Sequence, residues 1–311
     1  MVFRFRIKQK QYIKRLKNFS SMYFRNRLGV AGLLLLLVFI LVAMLAPYIA
    51  PFNPHDVKSI GVSQPFSPPF WIKFFDKSIP SDKVYGLLGT DELGRDIFSQ
   101  VVYGARVSLI VGFLAAFISI FVGTVIGLIS GYIGGVVDEI LMRITDILLI
   151  IPGLPLMIVL AAILGSSLMN LITVIGITSW PSIARIIRSQ VLTVKEMKFI
   201  EAARAIGCGD GYIIFKHILP NVSPLIYVNA ALNIANAILI EAGLSFLGLG
   251  DPNYISWGMM LFFADQYQAL IKLAWWYVFP PGLCILLVVS SFVFIGHALD
   301  EILNPRLRLR R

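Results

Sequence analysis

Three asparagines, Asn229, Asn233 and Asn236, are spaced four and three residues apart in a stretch that is otherwise apolar. This spacing places their carboxamides on one face of a helix, where they could line a hydrated pathway or hydrogen-bond to a neighbouring helix. Glu241 follows five residues later, close to the same face. Burying an ionisable group in an apolar helix is costly, so such a group is a functional candidate. We group these four residues as a predicted pathway, with a structural or gating role favoured for Glu241 and helix packing left open for the asparagines.

A second group of polar residues combines charges of both signs at Asp138, Glu139, Arg143 and Asp146. Glu139 and Arg143 stand in the favoured i,i+4 order of a helical ion pair, and Asp146 follows Arg143 by three residues. These charges can therefore neutralise one another. We predict that they form a charge cluster at the inner mouth of a membrane span, where unpaired charges would be expensive.

The second half of the chain contains a polar loop, residues 185–221. Thr193 and Glu196 are three residues apart, as in a capping box, which predicts that a helix starts there. Glycines at 207, 209 and 211 then predict a break, and the apolar stretch 212–219 predicts a second helix that ends at Pro220. A helix, a glycine turn and a second helix favour a docking surface, with an unpartnered surface loop as the alternative.

Motifs for catalysis are absent from the sequence. There is no Gly-x-x-x-x-Gly-Lys-Ser/Thr motif for ATP, and the segment 243–248 misses Gly-x-Ser-x-Gly by one residue. The three histidines are scattered, and Cys208 and Cys284 fall in different parts of the predicted topology. We therefore predict no catalytic residue, no metal site and no cofactor, which disfavours an enzyme, including a membrane-embedded serine protease.

The composition indicates a membrane protein. Hydrophobic residues make up 58% of the chain and charged residues 14%, and the mean hydropathy is +0.82; soluble proteins carry about 25% charged residues. Charge-free runs at 29–49, 107–130, 222–240 and 273–299 each suit one helical crossing, and the run 147–184 suits two joined by a turn near Gly165. We predict an all-α fold with six transmembrane helices, kinked at Pro152, Pro155 and Pro181.

The distribution of Lys and Arg predicts the orientation. With the N-terminus inside, the inner segments hold 20 of these residues and the outer segments 7, so both termini and the polar loop are expected in the cytoplasm. This retention explains the nine basic residues before position 29, for which a nucleic-acid-binding arm is the alternative. The apolar run that follows has 21 residues and is too long for a cleavable signal peptide.

These observations divide the chain into five regions: a cytoplasmic tail (1–28), a first transmembrane helix (29–49), an extracytoplasmic loop (50–104), a core of five transmembrane helices containing the polar loop (105–299) and a cytoplasmic tail (300–311). The extracytoplasmic loop is rich in proline up to about residue 85 and then predicts a short interfacial helix starting at Thr90 and Asp91. Within the core, Gly123, Gly127 and Gly131 form small-xxx-small steps, for which packing within one subunit is favoured over a dimer seam.

Several motifs carry a resemblance to a known family. Glu201-Ala202-Ala203, Gly207 and Leu219-Pro220 resemble the signature loop of ABC importer permeases. The chain also resembles the second, C-type permease subunit of the dipeptide, oligopeptide and nickel branch. The motifs that carry this resemblance lie at 88–96, 103–106, 134–146, 241–250 and 256–258. Residues 50–85 are longer and more aromatic than this branch leads us to expect.

The resemblance implies a subunit that forms half of a translocation pathway for di- or oligopeptides and hydrolyses no ATP itself. It implies a homologous permease partner, two ABC ATPases, an extracytoplasmic solute-binding protein and membrane lipid, with no nucleic acid. The polar loop would couple to an ATPase through Glu201, Ala202, Ala203, Gly207, Gly209, Asp210 and Gly211. The alternatives are a permease for nickel or another small solute and, from another class, a stand-alone channel or secondary carrier, for which internal repeats would be expected.

Overall fold

A computed structural model describes residue 17, residues 20–54, residue 56, residues 59–74, residue 80 and residues 84–303. Most of the basic tail predicted at 1–28, and of the C-terminal tail predicted at 300–311, lies outside these residues. Over the described residues every extended regular element is a helix, and one isolated bridge joins Thr90 to Asp96. The predicted all-α fold is therefore confirmed for this part of the chain.

The helices follow one another along the chain in this order: α1 (Arg27–Met44), α2 (Ala46–Ile49), a 3-10 helix (Phe70–Phe74), α3 (Ile97–Ile133), α4 (Gly135–Ile150), α5 (Gly153–Leu164), α6 (Leu168–Lys195), α7 (Lys198–Ala205), α8 (Asp210–Ile213), a π-helical segment (Ile214–Ile218), α9 (Leu219–Phe246), α10 (Trp257–Gln266) and α11 (Trp275–Leu303).

Among the described residues, five helices are long and apolar enough to cross a membrane: α1, α3, α6, the continuous helix Asp210–Phe246 and α11. Helices α4 and α5 pass the same test only as a pair, and they are bent by 89° relative to each other. The predicted number of six spans is reached when this bent pair counts as one.

The bend between α4 and α5 is a complete break at Pro152. Ile151, before the proline, ends α4 in the extended backbone that a following proline favours. Pro155 falls in the first turn of α5, where its missing N–H leaves no helical bond unmade. The predicted kink at Pro155 is therefore wrong. The turn predicted near Gly165 is confirmed, since α5 ends at Leu164 and α6 begins at Leu168.

Helix α3 does not begin where the sequence predicted. Its N-cap is Asp96, whose carboxylate accepts a hydrogen bond from the backbone N–H of Ser99, so the start predicted at Thr90 and Asp91 is wrong. The helix then continues for 37 residues, about 55 Å at 1.5 Å per residue. Because a bilayer core is about 30 Å thick, the predicted interfacial helix consists of the first turns of α3 and is not a separate element.

The glycine steps of α3 bring α6 close to it. A Cβ atom at Gly123 would lie 2.8 Å from the carbonyl oxygen of Trp180, and one at Gly131 would lie 2.8 Å from Cβ of Val191. Gly127 meets Ala184 and Ile187 in the same way. This glycine face is occupied by α6 of the same chain, so packing within one subunit is confirmed.

Helix α1 and the described part of the loop between α2 and α3 pack around α11. A Cβ atom at Gly32 of α1 would lie 2.7 Å from the carbonyl oxygen of Ser291 in α11. In the loop, the ring centroids of Trp71 and Trp275 are 5.7 Å apart, and the Lys272 ammonium lies 4.5 Å from the centroid of Phe66. The described part of the loop is therefore held against the start of the last span.

Candidate functional site

Helix α6 enters the polar loop and continues through Thr193 to Lys195. The Thr193 hydroxyl donates to the Ser189 carbonyl one turn back, at 3.1 Å, so it caps no new helix. The predicted capping box is therefore wrong, because the helix of the span extends past it. The next helix, α7, begins at Lys198 after Met197, whose side chain makes no capping hydrogen bond.

The turn after α7 is built on Gly207, which has a φ of +82°. The Gly207 N–H donates to the Arg204 carbonyl at 2.9 Å, and the Cys208 N–H donates to the Ala203 carbonyl at 3.1 Å. These two bonds form a Schellman motif, which satisfies carbonyls at the end of a helix and favours glycine at the left-handed position. The helix end predicted at Gly207 is confirmed.

The polar loop packs one face against the spans and exposes the other. Ile200, Ala203 and Ile213 are buried in an apolar cluster with residues of α3, α6 and α9. The six other predicted loop residues are all exposed: Glu201, Ala202, Gly207, Gly209, Asp210 and Gly211. Large apolar side chains accompany them, since Ile206 is 81% exposed and Phe215 is 70% exposed. The loop thus has the fixed base and open apolar surface that a docking element needs.

The second helix of the loop does not end at Pro220 and Asn221, and that prediction is wrong. The Leu219 N–H donates to the Ile214 carbonyl, five residues back, so the helix widens to a π turn just before the proline. Such a turn rearranges the carbonyls that face a proline, which has no N–H to donate. Residues Asp210–Phe246 therefore form one rod that joins the loop directly to the predicted fifth span.

The predicted charge cluster is only partly as expected. Arg143 Nη2 lies 3.3 Å from Glu139 Oε1, and both side chains are exposed, so this pair is confirmed. Asp146, however, is bonded to Arg185 of α6 instead of Arg143. Arg185 competes because α6 lies alongside α4, whereas a helical i,i+3 pair has only the local spacing in its favour.

Asp138 is the most enclosed acid of this cluster, and it bonds outside α4. The Arg188 guanidinium of α6 donates to both of its carboxylate oxygens, with Nε to Oδ1 at 2.5 Å. The Ser130 hydroxyl of α3 donates to the same carboxylate. Asp138 thus ties together α3, α4 and α6, and the cluster works between helices more than within one.

The three predicted asparagines line one cavity of about 480 Å³ between α4, α5, α6 and α9. We call it the asparagine cavity. Asn233 also donates to the Ser119 hydroxyl of α3 at 3.2 Å, and Asn229 donates to the Leu225 carbonyl of its own helix. Asn236 is exposed. A pathway-lining role and a helix-packing role are therefore both supported: all three residues line the cavity, and Asn233 also bonds to another helix.

Glu241 is not on the same face as the asparagines. Five residues of helix turn the side chain by about 140° from that of Asn236, and Glu241 is 1% exposed and does not line the asparagine cavity. Its carboxylate accepts hydrogen bonds from Ser245 at 2.8 Å and from Ser108 of α3 at 3.3 Å. The shared face predicted for Glu241 is therefore wrong, and the contacts are those of a residue that joins α3 to α9.

Three polar residues that α6 contributes to the cavity were not predicted from the sequence. Thr178, Ser179 and Ser182 of α6 line it together with the asparagines. A hint was present, because these are three hydroxyl side chains within five residues of an otherwise apolar span. Their convergence with α9 depends on tertiary packing, which spacing alone does not provide.

The motif at 91–100 forms a buried polar group at the start of α3. Arg95 Nε lies 2.6 Å from Asp91 Oδ2, which also accepts from the Gln100 amide at 2.6 Å. Arg95 further contacts Glu92 at 3.2 Å. Burial raises the pKa of Glu92 and the pKa of Asp96 above their ordinary values. The motif thus holds the loop in a fixed position relative to the start of α3.

These features define a class: a multi-pass helical membrane protein with a polar cavity between its spans, a packed polar loop at one end, and no nucleotide-binding motif in its sequence. The family model described as binding-protein-dependent transport system inner membrane component matches residues 123–309. A second model, the N-terminal TM domain of oligopeptide transport permease C, matches residues 15–69.

Whole-chain comparisons agree with these matches. The dipeptide transport system permease protein DppC of Alkalihalophilus pseudofirmus is 40% identical over 285 residues, covering 91% of this chain and 88% of that protein. The di/tripeptide transport system permease protein DppC of Pseudomonas aeruginosa is 36% identical over 298 residues, covering 96% and 94%. The oligopeptide transport system permease protein OppC of Bacillus subtilis is 35% identical over 284 residues, covering 91% and 87%.

The chain belongs to the family of binding-protein-dependent transport system inner membrane components. The resemblance to ABC importer permeases of the C type is confirmed. The chain is therefore a membrane-embedded transport subunit.

Proposed function

We propose that this chain is the C-type permease subunit of an ATP-driven importer of di- or oligopeptides. It forms half of the translocation pathway with a homologous permease, accepts peptide from an extracytoplasmic binding protein and docks a separate ATPase. The observation that carries this proposal is the similarity over more than nine-tenths of the chain to permeases named for dipeptides and oligopeptides.

The asparagine cavity supports the pathway half of the proposal. Asn229, Asn233 and Asn236 line it together with hydroxyl groups of α6. Such groups exchange hydrogen bonds with the amides of a passing peptide without binding it through charge. A weak, neutral lining of this kind suits a pathway that must release its solute, while selectivity rests with the binding protein.

The polar loop supports the docking half of the proposal. Ile200 and Ala203 at its base are buried in an apolar cluster, whereas Ile206, Tyr212 and Phe215 are exposed, as is Glu201. A rigid, partly apolar projection of this kind fits a cleft on a soluble partner. The direct continuation of the loop into α9, which lines the cavity, would carry movement of an ATPase to the pathway.

The proposed orientation follows the excess of Lys and Arg on one side. The polar loop, the tail 1–28 and the tail 300–311 lie in the cytoplasm, and residues 50–104 lie outside the membrane. The core 105–299 then exposes its docking surface to ATPases and its opposite end to the binding protein. The localisation is the cell membrane, with both termini inside.

The experiment is co-expression of this chain with its companion subunits, followed by affinity purification through this chain. The homologous permease and the ATPase should co-purify, and proteoliposomes of the complex should take up peptide only with ATP and the binding protein. Mass spectrometry of the molecules held by the binding protein identifies the substrate class. A binding protein that carries nickel instead of peptides would contradict the substrate, and a chain that purifies alone and transports without ATP would contradict the whole proposal.

A further inference from the structure

Tyr132 lies in the last turn of α3, and its side chain contacts the polar loop. Its hydroxyl donates a hydrogen bond to the carboxylate of Asp210 at the start of α8. The Arg204 guanidinium carbon lies 5.5 Å from the ring centroid and the Lys195 ammonium lies 5.8 Å from it. Both distances allow cation–π attraction. One buried ring therefore meets the ends of α6, α7 and α8.

The same end of α3 is bonded to α4. Two residues before Tyr132, the Ser130 hydroxyl donates to Asp138, which in turn accepts two bonds from Arg188 of α6. Helix α4 then leads to Leu148 and Leu149 in the wall of the asparagine cavity. One end of α3 is therefore bonded to the polar loop through Tyr132 and to α4 through Ser130, and α4 lines the cavity.

These polar contacts are directional, unlike the apolar packing around them. The cluster that includes Ile200 and Ile213 holds the loop near the spans, but apolar burial has no preferred direction and permits sliding. A hydrogen bond to a charged carboxylate is directional and among the stronger ones in proteins. The bond between Tyr132 and Asp210 therefore fixes how α8 is oriented relative to α3.

We propose that Tyr132 is a positioning residue that makes α3 and α4 move with the polar loop, so that an ATPase bound to the loop can change the shape of the asparagine cavity. This inference rests on the proposed docking of an ATPase. It goes further by naming a contact through which movement passes from α8 to α3, in addition to the direct continuation of the loop into α6 and α9. Contiguous bonded contacts are the physical route by which two distant sites become coupled.

The test uses the complete transporter in proteoliposomes, with Cys208 and Cys284 replaced by serine and a single cysteine at Ser182 in the cavity wall. The rate of thiol modification is measured without nucleotide and then with Mg·ATP and vanadate, each with the binding protein as it purifies from cells. The two rates should differ in the parent protein. Tyr132→Phe keeps the ring and its packing but loses the hydroxyl. The ratio of the faster rate to the slower rate should therefore fall roughly three- to tenfold, toward one.

Attachment and nucleotide trapping by the ATPases are measured on the same samples and should be unchanged in Tyr132→Phe. An unchanged ratio of rates would overturn the role of Tyr132 and leave the proposed function intact. Failure of the ATPases to co-purify with the parent chain would instead overturn the proposed function. The two failures are therefore distinguishable.

Three further variants separate the hydrogen bond from other effects. In an Asp210→Ala background the acceptor is gone, so adding Tyr132→Phe should change the ratio no further. An equal additional fall in that background would show that the hydroxyl does not act through Asp210, which would contradict the inference. Tyr48→Phe is the matched control, because this tyrosine is 87% exposed and its loss of a hydroxyl should leave the ratio unchanged.

Discussion

Asp138 of α4 accepts two hydrogen bonds from the guanidinium of Arg188, which lies 50 residues later in α6. This two-pronged geometry is the most specific that a carboxylate and an arginine can form. It fastens the first half of the bent pair α4–α5 to α6. Among the described residues, two other side-chain bonds of α4 cross to another helix: Ser130 of α3 donates to Asp138, and Arg185 of α6 donates to Asp146.

Breaking this pair should destabilise the protein. Arg188→Ala leaves the Asp138 carboxylate, which is 16% exposed, without its cation, and we expect a loss of about 2 kcal/mol of stability. The measurement is the thermal unfolding midpoint in detergent. Arg143→Ala is the control, because the exposed pair with Glu139 should contribute about 0.5 kcal/mol or less. Equal shifts for the two variants would contradict the special role of Asp138.

The proposed orientation can be tested by thiol labelling in intact cells. A cysteine introduced at exposed Gln64 should react with a membrane-impermeant reagent from outside. Cys208 in the polar loop should react only after permeabilisation, with Cys284 replaced by serine to remove background. Labelling of Cys208 in intact cells would place the loop on the wrong side for an ATPase and would contradict the docking proposal.

Local features were the ones that the sequence predicted best. The apolar runs located the spans because a run of about 20 apolar residues is a direct consequence of bilayer thickness. The pair of Glu139 and Arg143 was predictable because its geometry is fixed by one helix. The turn at Gly207 was predictable because a left-handed residue after a helix favours glycine.

Features that depend on neighbouring helices were predicted poorly. Thr193 and Glu196 have capping-box spacing, yet α6 continues past Thr193 and uses its hydroxyl inside the helix. Asp146 bonds to Arg185 because α6 lies beside it, which no local pattern reveals. Glu241 was placed near the asparagines by spacing, but it is buried against α3. In each case tertiary packing decided between alternatives that are equal in local sequence.

The asparagine face should be needed for transport and not for assembly. Replacing Asn229, Asn233 and Asn236 together by leucine removes the carboxamides from one wall of the cavity. We expect peptide uptake by proteoliposomes to fall at least about tenfold, because a dehydrated apolar wall offers no partners to peptide amides. Thr173→Val is the control, since its hydroxyl lies on α6 outside the cavity lining. Normal uptake by the triple variant would favour a packing role for these residues.

The buried acids at the start of α3 predict a pH dependence of stability. Burial raises the pKa of Asp96 above its ordinary value of 3.8, so the folded state holds this proton more tightly than the unfolded state. Stability from this group is therefore greatest below pH 3.8 and declines as pH rises through the folded pKa. Asp96→Asn keeps a capping acceptor and should flatten this decline in unfolding midpoints measured in detergent from acidic to neutral pH. An unchanged slope would contradict the assignment to Asp96.

The Schellman turn at Gly207 should set how well the polar loop holds an ATPase. Valine there must adopt a φ near +82°, which costs about 1–2 kcal/mol for a side chain with a Cβ atom and more for a branched one. Space is not the problem, because a Cβ atom at Gly207 meets no atom within 4 Å.

We therefore expect Gly207→Val to weaken ATPase co-purification and to abolish stimulation of ATP hydrolysis by the loaded binding protein, at normal abundance in the membrane. Gly207→Asn should retain more of both, because asparagine tolerates the left-handed region. Gly209→Ala is the geometric control, since its φ of −67° suits alanine and it too has open space. If valine and asparagine cause the same loss, the added side chain obstructs the contact with the partner; if Gly207→Val retains full stimulation, the turn has no part in coupling.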